Sequence, residues 1–453
     1  MHEALVGGIL ILMLLLPMDV CLVWGSVPVI VLGYYLEVPP LLSVGDARVR
    51  LDDLVVLVVA VKLVFFGRRR PRGIGPHPAY DSIVAFFGCL LIATIVAGLR
   101  FGTRVFVPEV IALCRLTLQA VFLVLLVASI TTIRQAERIV QSLNWLGLVV
   151  GATVYLNAGA SAIGWSFGET FRDTQGAHRY IGIVGDQVGF LIGFFVLKSI
   201  VEGKVLRSAF FVMALALTGT RGALFPVGVG IAVLFASQRH LVTAHRRGFH
   251  VALAGLLFLG LAVSQGLVGP LRLRFERQPL RATFDERVTT AKLALQLFGE
   301  QPLFGGGFTA LRLAAEKSRP GLYFAGSGLS RTVYPSTNTN QYLQVASDAG
   351  ILGLGAFAWM MVNVLRVLRL QSRDSREELR VAGVAAYCWV LGLLIGNQTA
   401  GWLLPGSCIS YLFWTVTGLA MARESGLAVR NEPIRVVRLA STLPQVGRQW
   451  VKP

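Results

Sequence analysis

Acidic residues are scarce in this chain. Of its 453 residues only 24 are Asp or Glu, against 42 Lys and Arg, which leaves a formal net charge of +18. Lysine is scarcer still, with six against 36 arginines. Cysteine occurs five times, as Cys21, Cys89, Cys114, Cys388 and Cys408. All five fall in apolar runs, with neither metal-ligand spacing nor a disulfide framework, so they read as small core residues. Internal repeats are absent. The start of the chain has no basic n-region and no clear small-x-small cleavage site, so its first apolar run is expected to be a span and not a cleavable signal.

What is abundant is apolar length. Hydrophobic residues make up 55% of the chain and the mean hydropathy is +0.66. A bilayer-spanning helix needs about 20 mostly apolar residues, and the chain supplies such runs repeatedly. The fold class expected is an all-α polytopic membrane protein of about 12 spans. They are placed near 4–24, 50–66, 82–99, 105–129, 139–158, 181–201, 206–220, 222–237, 249–266, 341–368, 381–400 and 404–422. This divides the chain into membrane helices over 1–266, one large loop over 267–340, three further spans over 341–422 and a basic tail over 423–453.

Basic residues orient the spans. "RRRPR" at 68–72, "RQAER" at 134–138, "RHLVTAHRR" at 239–247 and "RVLRLQSRDSREELR" at 366–380 belong on the cytoplasmic face by the positive-inside rule, as do both termini. Two longer segments, 159–180 and 267–340, then lie on the outer face. The second carries ten Lys and Arg against five Asp and Glu, contrary to that rule. Either it binds something anionic or its charge is drawn to lipid headgroups. Arginine offers a planar fork suited to phosphate.

Several outer positions carry candidate chemistry. Arg221 lies in "LTGTRGAL" between two apolar half-spans, among small residues that let helices approach closely. It either snorkels from a tight turn or projects into an outward cavity. His178 and Arg179 precede the span that holds Asp186 and Gln187. His178 is the one histidine of six placed outside; Arg179 is an interfacial anchor or part of a site. Arg287 sits early in an amphipathic helix that ends in "QPLFGGGF". There Gly305, Gly306 and Gly307 can present backbone N–H groups to an anion or serve as a hinge. Asn338, Thr339, Asn340 and Gln341 open the next span, followed by Tyr342 and Asp348; they line a polar mouth or cap the helix. Arg115, about ten residues into its span, is expected either to pair with a carboxylate such as Asp186 or to touch an anionic ligand. No Asp-x-Asp motif occurs in the outer segments.

Arg179, the "TRG" at 220–222, Arg287 with "QPLFGGGF", and "TNQYLQ" with Asp348 and "GILGLG" occur in the order seen in the O-antigen ligase and O-antigen polymerase superfamily, which 177–357 resembles. The resemblance implies a bacterial inner-membrane enzyme of polysaccharide biosynthesis whose large loop is periplasmic. Its donor would be an undecaprenyl-pyrophosphate-linked glycan and its acceptor a glycan or lipid-linked hydroxyl, without nucleic acid. It implies catalysis by Arg179, Arg221 and Arg287; a proton acceptor could come from His178, Asp348 or Tyr334, or none is needed. It implies substrate contacts from Asn338, Thr339, Asn340, Tyr342 and Gly305–Gly307, with no metal or other cofactor. One departure stands out: the family's His position is Thr339, whose hydroxyl does not titrate in the useful range. Two other readings remain open, a transporter or channel for an anionic solute and a non-catalytic relative.

Overall fold

The computed structural model describes residues 77–162, 170–172, 178–180, 188–218, 221–237, 280–308, 340–396 and 408–424, with short pieces at 15, 43–44, 47–48, 56–62 and 255. Helices dominate: α1 (Pro78–Phe101), α2 (Thr103–Ser129), α3 (Ile133–Ala162), α4 (Val188–Val201), α5 (Val205–Leu217), α6 (Arg221–Ser237), α7 (Leu280–Glu300), α8 (Gln341–Gln371), α9 (Glu377–Gly396) and α10 (Cys408–Glu424). Two small antiparallel ribbons accompany them: β1 (Ser43–Val44) with β2 (Ala47–Arg48), and β3 (Thr170–Arg172) with β4 (His178–Tyr180).

Among the described residues, five helices are long and apolar enough to cross a membrane, over Pro78–Arg100, Glu109–Ser129, Ile133–Ala160, Gln341–Gln371 and Glu377–Ile395. Val188–Val201, Val205–Leu217, Ala223–Ser237 and Ile409–Ala422 are apolar but shorter. A described helix overlaps each expected span except 4–24, 50–66 and 249–266, which lie outside the described residues but for 15, 56–62 and 255.

Local sequence explains the helix ends. Pro78 opens α1 behind His77, whose Nδ1 accepts from Ala79 N at 3.1 Å. A single residue, Gly102 at φ 78°, turns α1 into α2, a left-handed backbone that glycine adopts freely. At the end of α4, Gly203 (φ 67°) donates to Ile200 O at 3.0 Å and Lys204 to Ser199 O at 3.1 Å. That is the Schellman arrangement, which satisfies carbonyls otherwise left without partners.

Every residue of α4 is buried. An all-apolar helix enclosed by others is the expected fate of such a run. It packs against α3, α5, α6, α9 and α10; α8 runs along α1, and α10 along α2. Between lipid-soluble helices the attraction comes from close packing, so small residues mark the contacts. A Cβ on Gly392 would overlap the Pro226 carbonyl, and one on Gly230 would stand 3.1 Å from Cys388 O. Trp389 fills the centre, its ring 5.7 Å from Phe194 and its Nε1 donating to Phe190 O at 3.0 Å. Among the described cysteines, Cys388 matches the core reading, whereas Cys114 lies exposed on α2.

Candidate active site

Long-range contacts gather several helix ends at one end of the bundle. The Tyr342 hydroxyl, in the first turn of α8, donates to Leu394 O near the end of α9 at 2.6 Å. Pro226, early in α6, abuts Gly392 near the same end of α9. Val227 of α6 meets Gly193 of α4, and Trp389 reaches Phe190. Asn144 in the first half of α3 accepts from Lys198 late in α4, so α3 and α4 run antiparallel. The starts of α4, α6 and α8 therefore share one end with the finishes of α3 and α9. The distribution of basic loops makes this the end expected to face outward.

Arg221 is the first residue of α6 at that end. His178 and Arg179 lie on β4, opposite Arg172 and Phe171, in a ribbon that packs against α3. Arg287 lies in α7, which packs on α8. It stands 13 residues before Glu300, about 20 Å at 1.5 Å per residue, so it is not brought to the turn that ends α7. Asn338, Thr339 and Asp186 lie outside the described residues, as do side-chain positions for Arg115, His178, Arg179, Arg221 and Arg287.

The turn after α7 is the most closely defined part of the site. Inside α8, Gly350 adopts φ 67° and ψ −163°, which breaks the helical ladder. The turn sews itself into that break. Gly306 N donates to Ser347 O at 2.8 Å and Gly307 N to Asp348 O at 3.0 Å. In return, Ile351 N donates to Pro302 O at 2.8 Å and Leu352 N to Leu303 O at 3.4 Å. Gly305 N closes the turn on Gln301 O at 2.9 Å. Bare glycine is required on both sides: a Cβ on Gly305 would overlap the Asp348–Ala349 backbone, and one on Gly350 the Leu303 carbonyl. This corrects the expectation that Gly305–Gly307 offer free N–H groups to an anion. All three are already donating to carbonyls of the protein.

Asp348 is buried beside this seam. Asn340 is the N-cap of α8, its side chain accepting from Tyr342 N at 2.8 Å. One residue not anticipated joins them. Glu109 of α2 is fully buried, and a Cβ on Gly307 would stand 2.5 Å and 2.8 Å from its two carboxylate oxygens and 2.5 Å from Ala97 of α1. The turn thus bridges α1 and α2 to α8, with one buried acid on either side. The sequence signal was an acid inside an apolar run, "VPEVIAL", where an ionisable group is expensive and marks function by default. Among the described residues, no three His, Cys, Asp or Glu are grouped to hold a metal ion.

Residues 207–358 match the family model described as O-antigen ligase. The match takes in α5, α6, α7, the docked turn and the first half of α8, and so Arg221, Arg287, Gly305–Gly307 and Asp348; it excludes His178, Arg179 and Glu109. No curated protein matches the chain. Over residues 207–358, about a third of its length, the chain is thus similar to the O-antigen ligase family, within a bundle whose described helices include candidate membrane spans.

Proposed function

We propose that this protein transfers or polymerises a saccharide carried on undecaprenyl pyrophosphate, at the periplasmic face of the bacterial inner membrane. The family match over 207–358 carries this reading. It is supported by the gathering of the starts of α4, α6 and α8 at one end, and by the docking of the turn at 302–307 onto α8.

The acceptor hydroxyl oxygen forms a bond to the anomeric carbon while the bond from that carbon to the pyrophosphate oxygen breaks. Negative charge grows on the departing lipid pyrophosphate. Arg179, Arg221 and Arg287 meet that charge with fixed guanidinium forks, a preorganised stabilisation that counts for more in a low-dielectric site. The acceptor proton passes to His178 or Asp348, because Thr339 occupies the position where the family carries His. The polar groups around Asn340 frame the sugar, although Asn340 itself is occupied in capping α8.

The test is product formation by purified, reconstituted protein from an undecaprenyl-pyrophosphate glycan and a hydroxyl acceptor. Arg→Ala at 179, 221 or 287 is expected to lower the rate by roughly 100-fold or more. Arg→Lys, which keeps charge and loses the fork, falls between. Wild-type rates in all three Ala variants would remove the arginines from the mechanism.

A further inference from the structure

The docked turn raises a question of depth. Two independent rulers run from the cytoplasmic side. On α8 the first basic residue of the inner end is Arg366, and about 20 residues of hydrocarbon counted back from it end near residue 346. Gly350, Ile351 and Leu352 then lie roughly 6–9 Å inside the outer boundary at 1.5 Å per residue. On α1, Asp81 marks the inner first turn, and the same count reaches Phe101. Ala97, which meets Gly307, lies about 6 Å inside by that measure.

The chemistry of the turn agrees with the rulers. Irregular backbone is tolerated at membrane depth only where its polar groups are satisfied within the protein. Here Gly305, Gly306, Gly307, Ile351 and Leu352 all donate to protein carbonyls, and the break at Gly350 supplies the α8 partners. The outward surface is apolar. Leu303 is 58% exposed, Phe304 39%, Ile351 49% and Leu352 48%. The bonds Ile351 N to Pro302 O and Leu352 N to Leu303 O hold the turn against this part of α8, and Trp359 and Val362 lower on α8 are exposed as well. In water such a patch would be costly, at about 25 cal/mol per Å² of apolar surface.

We propose that residues 302–307 form a re-entrant segment, in which the large outer loop dips into the outer leaflet and sets Leu303 and Phe304 against lipid acyl chains. The loop is then held at the membrane by a seam in α8 and by hydrocarbon contact together. Glu109 and Asp348 come to lie just below the headgroup plane, the level at which a lipid-linked phosphate sits. The placement stands apart from the glycosyl-transfer reading, because its test measures depth and needs no turnover.

Full-length protein lacking its native cysteines is reconstituted into phosphatidylcholine–phosphatidylglycerol bilayers with one nitroxide label each at Leu303→Cys, Phe304→Cys, Gln296→Cys and Trp359→Cys. Power saturation with oxygen, which concentrates in hydrocarbon, is compared with a water-soluble nickel chelate. Labels at 303 and 304 are expected to favour oxygen as the one at 359 does, while the one at 296, exposed on α7, favours nickel. Preference for nickel at 303 and 304 overturns the proposal. Shielding from both reagents overturns it too, because the occupant is then a second copy or another segment of the chain. The unmodified protein gives a second readout that no substitution can perturb. Photoactivated phospholipid with a diazirine at mid-chain is expected to mark the tryptic peptide 293–312 at Leu303 or Phe304. Adducts on α8 with none on that peptide reject the idea.

Discussion

At the docked turn, order comes from residues distant in sequence that meet through backbone. Gly306 and Gly307 donate to Ser347 and Asp348, and Gly307 lies against Glu109. At the opposite end, between α4 and α5, order comes mostly from neighbours. Glu202 takes Lys198 on the preceding turn, Lys204 at 3.1 Å and Arg207 at 3.6 Å, while Lys198 also reaches Asn144 Oδ1 at 2.6 Å. The first arrangement has no side chain to trim and no room for one. The second is a set of side-chain contacts graded by exposure, since Lys198 is buried and Lys204 half exposed. Intolerance to substitution should therefore follow interlocking backbone at one end and burial at the other.

The largest effect is expected at Gly350. Its φ and ψ fall where non-glycine residues are strained by about 1–3 kcal/mol, and a side chain there also collides with the Leu303 carbonyl. Gly350→Val should cost about 4 kcal/mol when overpacking is added, read as a fall in the thermal midpoint or loss of monodisperse protein in detergent. Gly355, on the same helix with open space around its Cβ position, is the control, and Gly355→Val should be nearly silent. Equal behaviour of the two would mean that the seam does not hold the turn.

Removing Lys198 tests the other end. Breaking a buried ion pair by removing one member typically costs about 3–5 kcal/mol, because the remaining charge is stranded. Lys198→Met is expected near the lower figure, about 3 kcal/mol, since Lys204 and Arg207 still attend Glu202. Lys198→Met with Glu202→Leu should recover most of the loss. No recovery would show that Lys198 acts through Asn144 instead.

These two ends were unequally legible in the sequence. "EGK" at 202–204 is a local message, a helix-stopping glycine between charges, and the spans on either side follow from apolar length. Arg221 at a helix start was also readable, because small residues around a lone charge announce a break. The seam was not. "GGG" and "GILGLG" both stood out, yet glycine has no side chain to say what it will touch, and the two meet 40-odd residues apart only after α8 has kinked. The same gap hid Glu109. Its chain neighbours are apolar, and what gives it meaning is Gly307, nearly 200 residues away. The reading of Asn340 fared differently: a sugar contact and an N-cap were both open, and the structure shows the cap.

A smaller effect isolates that hidden contact. Gly307→Ala pushes a methyl toward both Glu109 oxygens and Ala97, with φ at 110° adding strain. Glu109→Ala leaves a space at the same point. In a double-mutant cycle the pair should couple by about 1–2 kcal/mol, with Glu109→Ala relieving part of the Gly307→Ala penalty. Additivity within error would mean that the carboxylate does not confine the turn, and Ala97 alone sets the limit.

The smallest effect expected is a pH dependence at the inner turn. Burial pushes the Glu202 carboxyl up, but the Lys198 ammonium and then Lys204 outweigh it, so the group titrates below its ordinary value of 4.5. A carboxyl whose pKa is lower folded than unfolded contributes stability that is complete above the unfolded value. That contribution drains away as pH falls from about 4.5 through the lowered folded value. Glu202→Gln removes the titration, so the difference in thermal midpoint between wild type and variant should be widest near neutrality and shrink below about pH 4.5. Raising salt should narrow the neutral-pH difference only slightly, because the main partner Lys198 is buried and poorly screened. Lys204→Ala, by contrast, should cost less than about 1 kcal/mol and become harder to detect in salt, as exposed pairs do. If wild type and Glu202→Gln instead keep a constant gap from neutrality to acid, Glu202 contributes by shape alone. The contrast between the two ends would then lie in packing at both, and charge would matter at neither.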